Sequence, residues 1–254
     1  MLNVSLTIDN IPSFDENHLI DQADQCTFTI MWLRNPPNSI IVFGFNERSN
    51  EEKSSIDSIR LGVQYQIEGE DLLKRLSHKI EYKCQLTDGC NNGDNFHRVI
   101  KSFDMKENFS SNFDDLLSSN SSFNNQSIEN CYLEHNRTED CPPIDYSNCR
   151  RCQTNVDYSS SSSMIEVCGT CPEQSSDYNL ILYEKIFILT NRSELINRIE
   201  LTCQNGMFCN SLENIEQIRR LSSIDFDFEK YFSSSSSFVF PSFVYLGFVI
   251  QYLV

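Results

Sequence analysis

The sequence predicts an α+β fold made of two tandem disulfide-rich modules, each a small antiparallel sheet ending in a cystine loop and a helix. Three observations carry that expectation. The stretch Ile80-Glu81-Tyr82-Lys83-Cys84, five further residues and then Cys90-Asn91 returns as Ile199-Glu200-Leu201-Thr202-Cys203, five residues and then Cys209-Asn210. Apolar side chains alternate ahead of each loop, at 80, 82, 84 and at 199, 201, 203, as in a strand with one buried face. Helical spacing follows each loop, through Phe96, Val99, Ile100 and Phe103 in one copy and Leu212, Ile215 and Ile218 in the other. Strand, loop, asparagine and helix match together, which is the signature of an internal repeat.

The elements follow in chain order. Cys26, Phe28, Ile30 and Trp32 alternate, Asn35-Pro36-Pro37-Asn38 turns the chain, and Ile40 to Phe45 returns as a second strand. Ile59, Leu61, Val63, Tyr65 and Ile67 alternate without a break, and Glu70 to His78 reads as a short helix or a crossover. Asp94 is placed to cap the first helix, and Asn210 with Glu213 to cap the second. The second module has its own apolar run, Leu180 to Leu189, and a serine loop at 159–163. Composition sets the boundaries: a β-rich module with a C-terminal helix at 1–103, a polar linker at 104–130, a cysteine-rich module at 131–223, a polar spacer at 224–237 and a hydrophobic segment at 238–254.

A net charge of −16 over 254 residues excludes nucleic acid as a partner, because phosphate binding needs clustered Lys and Arg. Eleven cysteines are dense for a reducing cytosol and ordinary for a surface or secreted protein, although no signal peptide is visible in Met1 to Thr7. Cys84 with Cys90 and Cys203 with Cys209 are spaced to close small rings. Cys131, Cys141, Cys149, Cys152, Cys168 and Cys171 are expected to be bridged as well, with their connectivity open. The count is odd, and Cys26 on the Phe28, Ile30, Trp32 face is the expected free thiol, buried as a small hydrophobe. Asn-x-Ser/Thr sequons stand at Asn3, Asn108, Asn120, Asn125, Asn136 and Asn191 as candidate glycosylation sites. A chain this rich in Asn and Ser generates several by chance.

The Cys-x5-Cys-Asn endings resemble the last cystine loop of Ly6/uPAR-type three-finger domains. That resemblance implies a disulfide-rigidified recognition module of the cell surface, of a kind that often precedes a lipid anchor. It covers two short patches. The chain lacks the family's adjacent Cys-Cys pair, carries only Cys26 ahead of the first loop, and adds a helix after each one.

Two other chemistries compete for the cysteines. Cys149-x2-Cys152 and Cys168-x2-Cys171 have the spacing of a four-thiolate zinc site, which would make the protein an intracellular zinc-binding interaction protein. Cys168-Gly169-Thr170-Cys171 also has the form of a redox pair, but that chemistry needs its first cysteine at a helix N-terminus. The chain has no nucleophile elbow, no HExxH and no phosphate-cradling glycine loop, and its four histidines are scattered, His78 and His97 flanking the first loop. The expected protein is therefore not an enzyme and has no cofactor. Its expected partners are a membrane, through the C-terminal segment, and a protein or glycan ligand.

Phe238 to Val254 is uncharged throughout. As a helix these residues would reach about 25 Å, the short end of what spans a bilayer core. The chain stops inside the apolar run, which suits a cleaved glycolipid-anchor signal, with Ser222-Ser223 as the attachment site and 224–237 as the spacer. A membrane helix is the second reading of this tail and a packed core element the third.

Overall fold

The structure is a computed structural model describing residues 25–34, 37–46, 56–68, 73–84, 90, 93–109, 112–118, 130–136, 141, 149, 151–158, 165–171, 178–204 and 207–233. It is dominated by antiparallel sheet, with few helices and several disulfides. Strands β1 (Gln25–Arg34), β2 (Pro37–Asn46), β3 (Ser58–Glu68) and β4 (Leu73–Cys84) precede helix α1 (Gly93–Ser102), β5 (Phe103–Glu107) and the short α2 (Asp114–Leu117). Then come β6 (Cys152–Asp157), β7 (Glu166–Thr170), β8 (Tyr178–Ile188), β9 (Ser193–Cys203), α3 (Leu212–Leu221), β10 (Ser222–Phe226) and α4 (Phe228–Ser233).

Eight strands form one sheet in the order β2-β1-β4-β3-β8-β9-β6-β7, and β5 pairs with β10 in a second. Read from each edge inward, the succession is the same: β2-β1-β4-β3 from one side, β7-β6-β9-β8 from the other. The two inner strands, β3 and β8, pair antiparallel along their length, from Ser58 opposite Ile188 to Glu68 opposite Tyr178. Gly62 faces Glu184 there. Each of these two also pairs with the residue five positions before a loop cysteine, Lys79 before Cys84 and Arg198 before Cys203. In the small sheet Met105 faces Ile224, the third residue of each strand. Backbone hydrogen bonds thus run continuously through the β3–β8 pair, so the strands before and after it share one sheet rather than forming two separate small ones.

One face of the large sheet is the core. Phe28, Ile30, Ile59, Leu61, Val63, Tyr65, Ile80, Tyr82, Ile181, Tyr183, Ile199 and Leu201 are all buried. Phe96 of α1 meets the Phe28 ring at 5.3 Å, and Phe226 of β10 meets Phe187 at 5.6 Å, so helices and small sheet cover this face. Each α1 and α3 turns its apolar stripe inward, through Phe96 and Val99 and through Ile215 and Ile218. The opposite face of the large sheet carries charge ladders, with Glu81 between Lys79 and Lys83 at 3.1 Å each.

Several sequence expectations are corrected. Glu70 to His78 is not a helix or crossover where it is described: Leu73 onward is strand β4. There Leu76, His78, Ile80, Tyr82 and Cys84 bury one side while the residues between stay more exposed, and pairing with β3 decides the conformation. The linker expected at 104–130 contains β5 and α2, and Phe109, Phe113 and Leu117 are in the core. Asp94 lies in the first turn of α1 rather than ahead of it. The N-cap of α3 is Ser211, whose hydroxyl accepts from Asn214 N–H, while Asn210 is turned to a different task. The spacer expected at 224–237 begins with β10 and α4, and Ile224, Phe226 and Tyr231 are buried. Ser222 is buried and donates to the Ile218 carbonyl at 2.6 Å. Cleavage at Ser222-Ser223 would tear β10 and α4 out of the core, so these serines do not fit an attachment site.

Candidate functional site

Five disulfides organise the molecule: Cys84–Cys90, Cys131–Cys152, Cys141–Cys168, Cys149–Cys171 and Cys203–Cys209. Two of them close the short loops after β4 and β9. The other three gather on the second half, where they bind the segment 130–136 and its continuation to β6 and β7. Cys26 keeps its thiol and is half-buried rather than fully buried. Its position has a counterpart. Cys26 faces Cys84 across β1 and β4, as Cys152 faces Cys203 across β6 and β9. Cys152 is bridged to Cys131, so Cys26 occupies the equivalent register without that bond.

Beside these bridges, Asn210 is wholly buried and its side chain ties three segments together. Its Oδ1 accepts from Tyr132 N–H at 2.8 Å. Its Nδ2 donates to the Tyr132 carbonyl at 2.8 Å, the Gln153 carbonyl at 3.1 Å and Thr154 Oγ1 at 2.9 Å. Thr154, also wholly buried, returns its hydroxyl proton to the Asn210 carbonyl at 2.7 Å. An amide is the one short side chain that offers an acceptor and two donors here, which is the physical reason for asparagine directly after the closing cysteine.

The segment 131–136 runs along β7. Gly169 N–H donates to the Glu134 carbonyl at 2.9 Å, Asn136 N–H to the Val167 carbonyl at 3.1 Å, and Asn136 Oδ1 accepts from Val167 N–H at 2.7 Å. The approach is close enough to require glycine: a Cβ on Gly169 would meet the Tyr132 carbonyl oxygen at 2.5 Å and that of Glu134 at 2.9 Å. Tyr132 hydrogen-bonds Glu134, and burial with that carboxylate beside it pushes the phenol up to about 12.

The arrangement separates the four cysteines of the zinc alternative. Cys168 is bonded to Cys141, and the sulfurs that converge are those of Cys131, Cys149 and Cys171, within 4.8 Å of one another. The Cys131 and Cys149 sulfurs touch at 3.4 Å as neighbours in two different disulfides, with no thiol proton between them. Cys149, Cys152, Cys168 and Cys171 therefore do not surround a common point. Cys168 and Cys171 are not bonded to each other either, and Cys168 stands inside β7 rather than at a helix N-terminus. The redox-pair geometry is absent.

His78 is buried against Glu107 at 3.3 Å and stacks on Trp32 with ring centroids 5.1 Å apart, while His97 is half-buried beside Phe96. Among the candidate glycosylation sites, Asn108, Asn136 and Asn191 are exposed. The amide of Asn136 already donates to the Ile165 carbonyl, and Asn191 accepts from Ser193. Asn3, Asn120, Asn125 and the hydrophobic segment 238–254 lie outside the described residues. Among the described residues no helix is long and apolar enough to cross a membrane.

The sequence pattern did not single out Met207 and Phe208, which directly precede the closing Cys209 of the second cystine loop. Met207 is 71 % exposed and Phe208 45 %. Phe208 has φ of 54°, a left-handed conformation that bulky side chains avoid. No protein-family model, characterised protein or solved structure matches the chain.

Proposed function

We propose that this is a non-enzymatic, disulfide-stabilised protein of the cell surface, with an adhesive or ligand-recognition role and a membrane tether at its C-terminus. The observation that carries the reading is the use of ten of the eleven cysteines in five bridges that staple short loops and the segment over β7. Bridges of this number persist in oxidising compartments. Rigid loops on a stapled sheet present side chains for binding with little ordering cost. The two short loops with their Cys-Asn endings carry the likeness to Ly6/uPAR-type domains, and that likeness supports a surface role rather than a three-finger fold.

We read the two halves as copies of one unit fused through β3 and β8. Equal strand succession, equal loops, helices α1 and α3 of ten residues each and the facing pairs Gly62–Glu184 and Met105–Ile224 support this. The tether is 238–254. With Ser222-Ser223 committed to the core, the small residues left for a glycolipid attachment are Ser233 to Ser237, directly against the apolar run and without a polar spacer. That arrangement favours insertion of the tail itself. The full chain, expressed in eukaryotic cells behind a supplied signal peptide, is expected to reach the surface and to stay there after treatment with a phosphatidylinositol-specific phospholipase. Release by the enzyme would restore the glycolipid anchor, and secretion without treatment would remove the tether.

A further inference from the structure

We propose that Met207 and Phe208, just ahead of the closing Cys209, are a docking finger that inserts into an apolar, basic-rimmed cleft of a protein partner. In the sister loop, the residue before the closing cysteine is Gly89, for which left-handed backbone costs nothing. The second loop puts Phe208 at that position and holds it at φ 54°. Its backbone is pinned on both sides, by Phe208 N–H donating to the Asn130 carbonyl at 2.6 Å and by Ser211 N–H donating to the Phe208 carbonyl at 2.9 Å. A left-handed backbone at a residue that stays 45 % exposed is a cost that burial of the ring offsets only in part, and strain of this kind clusters at functional sites. Met207 beside it is the most exposed of the large hydrophobics among the described residues. Met and aromatic side chains are the types enriched where protein interfaces are buried.

The direction in which Met207 and Phe208 are presented rests on the proposed C-terminal tether. Arg192, in the hairpin between β8 and β9, pairs with Glu229 and lies over the Phe232 ring, so α4 ends at the hairpin end of the large sheet. The finger leaves the far end of β9, a strand of eleven residues and roughly 33 Å. A chain held to a membrane beyond α4 therefore carries the finger away from that membrane and toward a partner. The loop interior, Gln204 to Phe208, has no charge, Glu213 stands in the first turn of α3 just after it, and the whole chain carries −16, so a rim of Lys and Arg on the partner is complementary.

The test uses the full chain displayed on eukaryotic cells and a random-peptide phage library as the probe. Enriched peptides are expected to combine aromatic or aliphatic residues with Lys or Arg. Their binding is expected to fall at least tenfold with Phe208→Gly, which relieves the backbone and removes the benzyl side chain, and with Met207→Ser. Peptides that bind Phe208→Gly within twofold of the parent overturn the proposal, as does a selection that enriches nothing above cells lacking the chain. Enriched peptides without basic residues overturn the stated partner chemistry. If the chain is secreted rather than retained, the tether has failed on its own. The same panning on the immobilised secreted chain then decides the finger separately.

Discussion

Asn210→Ala is expected to be among the most damaging single substitutions outside the disulfides. Within a site that excludes water, the side chain accepts from Tyr132 N–H and shares its two N–H donors among Tyr132 C=O, Gln153 C=O and Thr154 Oγ1. Each such bond contributes about 1 kcal/mol net, and a buried group left without a partner costs about 1–3 kcal/mol. Some of the losses overlap, because the released strand ends can shift, so the expected destabilisation is about 3–5 kcal/mol. Thr154→Val removes only the hydroxyl and is expected to cost about 1–2 kcal/mol. The two share one network, so the double variant should be less damaging than the sum. Urea unfolding followed by circular dichroism without reductant, so that every bridge stays closed, gives the comparison at constant m-value. A loss under about 1 kcal/mol for Asn210→Ala, or equal losses for the two single variants, would refute the pin.

Three further expectations can be checked on the same material. Gly169→Ala should lower stability by about 1–3 kcal/mol, because its methyl group would sit 2.5 Å from the Tyr132 carbonyl oxygen and the segment over β7 must move; thermal unfolding reads this directly. Maleimide labelling of the unreduced, denatured chain should find one thiol, on Cys26. Ser5, which lies outside the described residues, precedes Cys26 by as many positions as Cys131 precedes Cys152, and Ser5→Cys should consume that thiol if the halves are copies. Two carboxylates should respond to pH in opposite senses. Burial works to raise the Glu81 carboxyl, but Lys79 and Lys83 together outweigh it and hold the group below its ordinary range. Its stabilising contribution is present above the unfolded pKa and is lost as pH falls through the folded one. Burial first, then the neighbouring Glu184, raises Glu200 against the opposing Gln153 and Arg198. Its folded form therefore takes up a proton first, and stability rises as pH falls through that raised pKa. Glu81→Gln should remove the acid loss and Glu200→Gln should stabilise at neutral pH, both read as unfolding midpoints across pH.

Much of the sheet is written plainly in alternation. Ile59 to Ile67 and Ile80 to Cys84 place every second side chain in the core, and β3 and β4 follow. Leu73 to His78 misleads because Leu73 and Leu76 also fit helical spacing, and only the partner strand β3 decides between the two periods. The 104–130 stretch hides its packing for a different reason. Phe109, Phe113 and Leu117 are three apolar anchors diluted among Ser, Asn and Asp, so composition reads polar while the contacts are buried. β10 and α4 are hidden differently: Phe226 lies between Asp225 and Asp227, and the serine run after Phe232 makes the whole stretch read as a spacer although Phe226 and Tyr231 are buried. Short cystine rings can be read from spacing, whereas six cysteines over 131–171 allow 15 pairings that spacing alone does not choose among. The Cys-Asn repeat is visible, but the pin it makes depends on Tyr132 and Thr154, far away in the chain. Phe208 carries no sequence signal by itself; its meaning comes from a backbone angle set beside the glycine of the sister loop.

Peptide mapping by mass spectrometry of the unreduced chain, recovered from the surface of eukaryotic cells, tests the central claim most directly. The expected bridges are Cys84–Cys90, Cys131–Cys152, Cys141–Cys168, Cys149–Cys171 and Cys203–Cys209, with Cys26 recovered as the free thiol. Recovery of Cys149, Cys152, Cys168 and Cys171 as thiols, with stoichiometric zinc in the purified protein, would contradict it.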